Sequence, residues 1–313
     1  MCTAVCYRNN SSYFGRNLDL DRGFGERVVI TPRNYPIKMR FERTVERHFA
    51  MIGIAAVECG FPLYFEATNE KGLSVAGLNF PGNAAYYEYK EGSVNVTPFE
   101  FIPWILAELS SVDEVKAALR RMNIVNEAFS KELPLTPLHW LISDKDTSIT
   151  VEPLGDGLKV YDNPYEVLTN NPPFDYHRIN VSNYMSLSNG KAASRLSPSI
   201  PTENYSLGMG ALGLPGDFSS ASRFIRALFV KDNSRAAEDE SSCVNQFFHI
   251  LSSVEMPMGC VALGSGFEYT RYSSCSSIER GIYYYKTYDN PEVKAVDMHS
   301  TDLDGKVPIS ILL

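Results

Sequence analysis

The sequence predicts an α+β fold in which antiparallel sheets are covered by helices. Three observations carry this. Strand-like segments come in blocks: strands, then helices, then strands, helices and strands again, without the β–α alternation that a parallel sheet imposes. Neighbouring strand candidates are joined by short polar turns, as in hairpins. No segment recurs at a fixed period, which sets aside solenoids and propellers.

CTAVCY (2–7) and YFGRNL (13–18) flank the polar turn RNNSS and read as a hairpin. RVVITP (27–32), HFAMIGIAAV (48–57), PLYFEAT (62–68) and LSVAGLNF (73–80) continue the strands, broken by CGF and NEKG (69–72). PFEFIPWILAEL (98–109) reads as a helix started by Pro98 and bent at Pro103. Ser111-x-x-Glu114 is a capping box, with Val112, Val115, Ala118 and Leu119 at helical spacing behind it. LHWLIS (138–143), SITVEP (148–153) and LKVYD (158–162) return to strands, and EVLTNN (166–171) is a short one. DYHRINVSNYM (175–185) reads as a helix. Residues 186–218 are rich in Ser, Gly and Pro, either a linker or a long loop. Helices over 219–233 and 236–254 follow, then strands over 266–275, 281–288 and 292–298. Because composition is the same on both sides of 186–218, residues 2–313 read as one domain.

With 313 residues, the chain can bury one large core or two modest ones. Its formal charge is −8 and its longest basic cluster is Arg120-Arg121, so nucleic acid is not an expected partner. No apolar run reaches the roughly 20 residues that span a bilayer, and the N-terminus lacks the pattern of a signal peptide. These readings predict a cytoplasmic protein with no membrane partner. Six cysteines occur, none in C-x-x-C, which fits a reduced compartment and no zinc site. No metal or other cofactor is expected, since no histidine pair has zincin spacing. His139, inside the apolar LHWLIS, reads as a satisfied core residue. GMGALG (208–213) matches G-x-G-x-x-G, but it follows a polar loop and runs into Leu214-Pro215-Gly216, so it reads as a loop rather than a dinucleotide site.

Cys2 stands apart from the other cysteines. If Met1 is removed, Cys2 carries a thiol and a free α-amine on one residue. The hairpin spacing brings FGRNLDLD (14–21) beside it. Arg16 would lower the thiol pKa, and Asp19 would hold the α-ammonium. The plain alternative is an exposed strand with polar residues on one face.

CTAVCY, YFGRNLDLD, ITPRNYP, NEKGLSVAGLNFPG, LHWLISD, VLTNNPPFDYH, LPGDFSSASRFIRA and YYYKTYDNP, in this order, resemble the choloylglycine hydrolase family of bile salt hydrolases and penicillin V acylases. The resemblance runs from Cys2 to beyond residue 290. It implies the N-terminal nucleophile hydrolase fold, a four-layer αββα sandwich of two antiparallel sheets between helical layers. By position it implies that Cys2 is the nucleophile once Met1 is lost. Arg16 and Asp19 flank it, Asn79 and Asn170 supply the oxyanion hole, and Arg223 completes the polar cluster. Asn79 favours the bile salt branch, because the acylases commonly carry Tyr there. The implied substrates are conjugated bile acids, with Leu18, Phe24, Phe65, Phe129 and Leu133 around the steroid. The stretch at about 186–218 resembles a protruding assembly loop, implying a homotetramer.

The chemistry suits these residues. An α-amine titrates at about 7.7–8.0 and a free thiol at about 8.5, so the amine can take the thiol proton and pass it to the leaving amine. The acyl group would pass through a thioester. The rivals are a penicillin V acylase, a non-catalytic binder of amphiphiles, and an ordinary Cys/His hydrolase.

Overall fold

The computed structural model describes residues 1–313. β1 (Cys2–Asn9) and β2 (Ser11–Leu20) turn on one residue, Asn10, at φ 56°. Asparagine tolerates that left-handed backbone, so the five-residue RNNSS contributes a single turn position. The register pairs Cys2 with Leu18 and Ala4 with Arg16, which puts all four on one face.

Then follow β3 (Arg27–Thr31), β4 (Met51–Glu58), β5 (Phe61–Asn69), β6 (Ser74–Asn79) and the short β7 (Val94–Val96). Two helices, α1 (Phe101–Glu108) and α2 (Val112–Leu119), precede β8 (Met122–Ile124). The meander β9 (Leu138–Ser143), β10 (Ser148–Leu154), β11 (Gly157–Asp162) leads to β12 (Val167–Leu168) and α3 (Phe174–Asn180). The last part holds α4 (Ser220–Asn233), α5 (Glu240–Ser252), β13 (Val261–Ala262), β14 (Phe267–Ser277), β15 (Ile282–Thr287), β16 (Lys294–Asp297) and β17 (Ile309–Leu312).

One sheet runs β12-β1-β2-β14-β15-β16, with β13 added to β14; the other runs β11-β10-β9-β6-β5-β4-β3-β17. Alternate residues serve different cores. Val28, Ile30, Ile52 and Ile54 pack with Ala4, Cys6 and Phe14 of the first sheet. Their neighbours Val29, Met51 and Ala55 pack with Ile102 and Ile105 of α1 and Val112 and Val115 of α2. Each such buried aliphatic contributes about 1.5–3 kcal/mol, so a register slip in these strands would be costly. Helices α4 and α5 cover the far face of the first sheet. The result is the αββα sandwich that the resemblance implies. No helix is long and apolar enough to cross a membrane.

Several boundaries differ from the sequence reading. Pro98 does not start α1. Glu100 accepts from the backbone (3.0 Å) and hydroxyl (2.7 Å) of Thr97, and this turn delays the helix to Phe101. Pro103 is then the third helical residue, where its missing N–H has no intrahelical partner to lose. Ser111 caps α2 as expected, accepting from Glu114 N at 3.3 Å, but Glu114 reaches back to Ser110 N (2.6 Å) instead of Ser111 N. α5 begins only at Glu240, because Asp239 caps Ser242 N at 2.9 Å. The helix expected over 175–185 ends at Asn180 and tightens into a 3₁₀ turn. β17, unforeseen in the sequence, pairs with β3 along an edge of the second sheet.

The stretch 186–218 leaves and returns. Ser188 N donates to Gly210 O (2.8 Å) and Gly210 N to Gly190 O (3.2 Å). Further out, the Asn204 carboxamide bonds both backbone groups of Ala192 at 2.9 Å. A Cβ on Gly210 would lie 2.4 Å from Gly190 O, so this glycine of GMGALG is needed for the closeness of the two limbs.

Candidate active site

Cys2 opens β1, buried against the second sheet. Both of its backbone groups are held by side chains. Its N–H donates to Asn170 Oδ1 at 2.8 Å, and its carbonyl accepts from Arg223 Nη1 at 2.5 Å.

Arg223 lies in α4, which Ser219 caps by accepting from Ser222 N. The helix sits on the outer face of the first sheet and points Arg223 at β1 from that side. The guanidinium is fully buried and donates to Phe218 O (3.0 Å), Thr3 Oγ1 (2.6 Å) and Asn170 Oδ1 (2.7 Å) besides Cys2. Burial lowers its pKa, and the negative charges of Asp19 and Cys2 oppose that shift.

Asn170 follows β12 and is clamped by its backbone. Its N–H donates to Ser220 Oγ (2.8 Å), and its carbonyl accepts from His177 Nε2 (3.1 Å). His139 Nε2 does the same for Thr169 O at 3.0 Å. With donors from both Cys2 and Arg223 converging on one end of the carboxamide, that end must be the oxygen. Its Nδ2 is already donated to Asn79 O at 2.7 Å. The Asn79 carboxamide itself makes no hydrogen bond within the chain. Hence both ends of the Asn170 carboxamide are engaged, one of them with the residue-2 nitrogen, while the Asn79 amide is without a partner in the chain.

Asp19 lies three residues beyond Arg16 and so on the opposite side of β2. It is the ladder partner of Met1: Met1 N donates to Asp19 O (2.8 Å) and Asp19 N to Met1 O (3.1 Å). The Met1 ammonium also forms an ion pair with Glu268 of β14. The Asp19 carboxylate is fully buried; Oδ1 accepts from Thr270 Oγ1 (2.6 Å), while Oδ2 has no partner. Burial raises its pKa, against the pull of Arg223, the terminal ammonium, Thr270 and Arg16.

Arg16, on the Cys2 face, is also fully buried. Nη1 donates to Gly77 O (2.5 Å) and Phe65 O (3.1 Å), and Nη2 is unpartnered. Burial pulls its pKa down, but Cys2, Tyr272, Glu66 and Asp19 together hold it above the usual range.

The apolar candidates fall into two groups. Leu18 is buried beside Cys2 on the same face, and the rings of Phe24 and Phe65 stand 6.4 Å apart. Phe129 packs instead on Phe61 and Phe99, and Leu133 closes a turn with Ser130. Sequence reading missed Thr3, Ser220, Glu268 and Thr270. The one trace of the β14 members is the density of hydroxyl residues in YTRYSSCSS (269–277), unusual for a buried strand.

The chain is similar to known proteins over nearly its whole length. A family model described as linear amide C–N hydrolases, choloylglycine hydrolase family, matches residues 2–311. A bile salt hydrolase/transferase of Lactiplantibacillus plantarum is 51% identical, over 99% of this chain and 96% of its own. A mutant conjugated bile acid hydrolase from Clostridium perfringens superposes with a TM-score of 0.92 at 36% identity, covering 99% of this chain and 96% of that one. Penicillin V acylase from Agrobacterium tumefaciens shares the fold, with a TM-score of 0.76 at 20% identity over 96% of this chain and 88% of that one.

Proposed function

The chain belongs to the choloylglycine hydrolase family of linear amide C–N hydrolases, and from that premise we propose that it cleaves the amide bond of glycine- or taurine-conjugated bile acids. The observation that carries the mechanism is the double grip on Cys2, N–H to Asn170 and carbonyl to Arg223, inside a fully buried polar cluster. Loss of Met1 makes the gripped nitrogen an α-amine. It keeps its acceptor in Asn170 Oδ1 and gains the unpartnered Asp19 Oδ2 as a counter-charge. That amine takes the Cys2 proton, and the sulfur attacks the substrate carbonyl. Asn79 donates to the developing oxyanion, where one lost donor costs on the order of 10²–10³ in turnover. The ammonium then protonates the leaving glycine or taurine nitrogen, and water hydrolyses the thioester. Arg16 supports the thiolate from its own face. Leu18, Phe24 and Phe65 form the near wall for the steroid, with Phe129 and Leu133 on an outer loop.

We read residues 2–313 as one domain, cytoplasmic, and assembled as a homotetramer through 186–218. In that loop Leu196, Tyr205, Leu207 and Leu212 stand exposed on limbs tied to each other, which suits a partner surface. Parallel assays on glycocholate, taurocholate and penicillin V test the substrate, with intact mass to confirm that Cys2 is terminal. Conjugated bile salts should be cleaved faster, and Cys2→Ala should abolish turnover while still binding ligand. Faster cleavage of penicillin V, or full activity with Met1 retained, overturns the reading.

A further inference from the structure

Behind Arg16 lies a buried carboxylate that the reaction above does not use. Glu66 of β5 reaches from the second sheet to the first and is 2% exposed. It accepts from Tyr272 Oη (2.7 Å), from Ser274 Oγ (3.1 Å) and from Tyr283 Oη, and it stands 3.8 Å from Arg16 Nε. The residues around it are thus Tyr272 and Ser274 of β14, Tyr283 of β15 and Arg16 of β2, with Arg16 the one cation among them.

Three hydroxyls, from Tyr272, Ser274 and Tyr283, converge as donors on the two Glu66 oxygens. Burial raises the carboxyl pKa, and Arg16 with the three hydroxyls opposes it. An ionised Glu66 can accept from all three hydroxyls and gives the buried guanidinium a counter-ion.

We propose that Glu66 is a positioning residue for the amide hydrolysis. It fixes the Arg16 guanidinium so that Nη1 stays on the Gly77 and Phe65 carbonyls and Nη2 remains free on the face of Cys2. It also sets how much positive potential Arg16 delivers to the sulfur. This rests on Cys2 being the nucleophile. Removing the Glu66 charge leaves Arg16 uncompensated, which favours the thiolate and disturbs the aim of the guanidinium at once.

The test is Glu66→Gln in processed protein, read two ways. Alkylation of Cys2 by iodoacetamide against pH, followed by site-resolved mass spectrometry, reports the thiolate without turnover. Its midpoint should move down by about 0.5–1 unit, as expected for loss of one nearby negative charge. Glycocholate hydrolysis should lose about tenfold in kcat with KM within about twofold, and Glu66→Asp should recover most of it. If Glu66→Gln does not fold, Tyr283→Phe carries the test. One donor fewer makes the carboxyl easier to protonate, so the midpoint moves the same way by less. An unmoved midpoint in the folded variant overturns the proposal even if kcat falls. A moved midpoint in a protein that never cleaves bile salts would leave Glu66 its role and refute the substrate instead.

Discussion

Replacing Arg223 by Met keeps most of the side chain's reach and removes its charge. Four hydrogen bonds go with it, to Phe218 O, Cys2 O, Thr3 Oγ1 and Asn170 Oδ1. Bonds from a charged donor are worth about 1.5–3 kcal/mol each, roughly 6–12 in all. Methionine avoids the several kcal/mol that burying a guanidinium costs, and breaking such a buried cluster from one side leaves a net loss of about 3–5 kcal/mol. Native proteins have about 5–15 kcal/mol to lose, so the variant should fold with a clearly lower urea midpoint. Turnover should fall further, because Asn170 and Cys2 lose their common anchor and a misplacement near 1 Å costs about 10²-fold. Urea titration by circular dichroism and glycocholate hydrolysis, both on protein whose mass shows Cys2 terminal, give the two numbers. A wild-type midpoint, or activity within threefold of wild type, refutes the reasoning.

Other substitutions probe the same frame. Burial lowers His177 from its ordinary 6.5 to about 4, so the unfolded chain binds the extra proton between those values. Stability is full above pH 6.5 and falls by about 3 kcal/mol as pH drops towards 4; urea midpoints at pH 7 and 4.5 should show this, and His177→Gln should flatten it. A Cβ on Gly15 would lie 1.9 Å from Ser274 O, so Gly15→Ala should cost at least about 1–3 kcal/mol in urea unfolding by forcing β2 from β14. Gly155→Ala meets nothing within 4 Å and should stay within about 0.5 kcal/mol. Cys6, which accepts from Ser143 Oγ at 3.3 Å, serves packing, so Cys6→Ala should keep glycocholate turnover within about threefold while Cys2→Ala loses it.

The hairpin was legible because turn and alternation are local, and it brought Cys2, Arg16 and Asp19 together. Which side each takes was not. That depends on the one-residue turn at Asn10, which sets Arg16 on the Cys2 face and Asp19 opposite Met1. Asn170 and Arg223 lie 168 and 221 residues from Cys2, and no periodicity reaches that far; resemblance alone pointed to them. Glu66 was hidden for another reason. In PLYFEAT it reads as the polar face of a half-exposed strand, and only the stacking of two sheets buries it. The helix starts were misjudged where the Thr97–Glu100 turn before α1 and the Asp239 cap of α5 overrode the apolar pattern.

The Met1 contacts also have a timetable. The ammonium's ion-pair partner, Glu268, is made 267 residues after Met1. Synthesis runs at about 5–20 residues per second, so roughly 13–53 s pass before the partner exists. Until then β2 also lacks its neighbour β14. An aminopeptidase therefore meets an N-terminus without its ion pair for most of translation, and with it afterwards. Codon choices or temperatures that alter elongation relative to that cleavage should change the fraction of chains that ever carry a free cysteine amine.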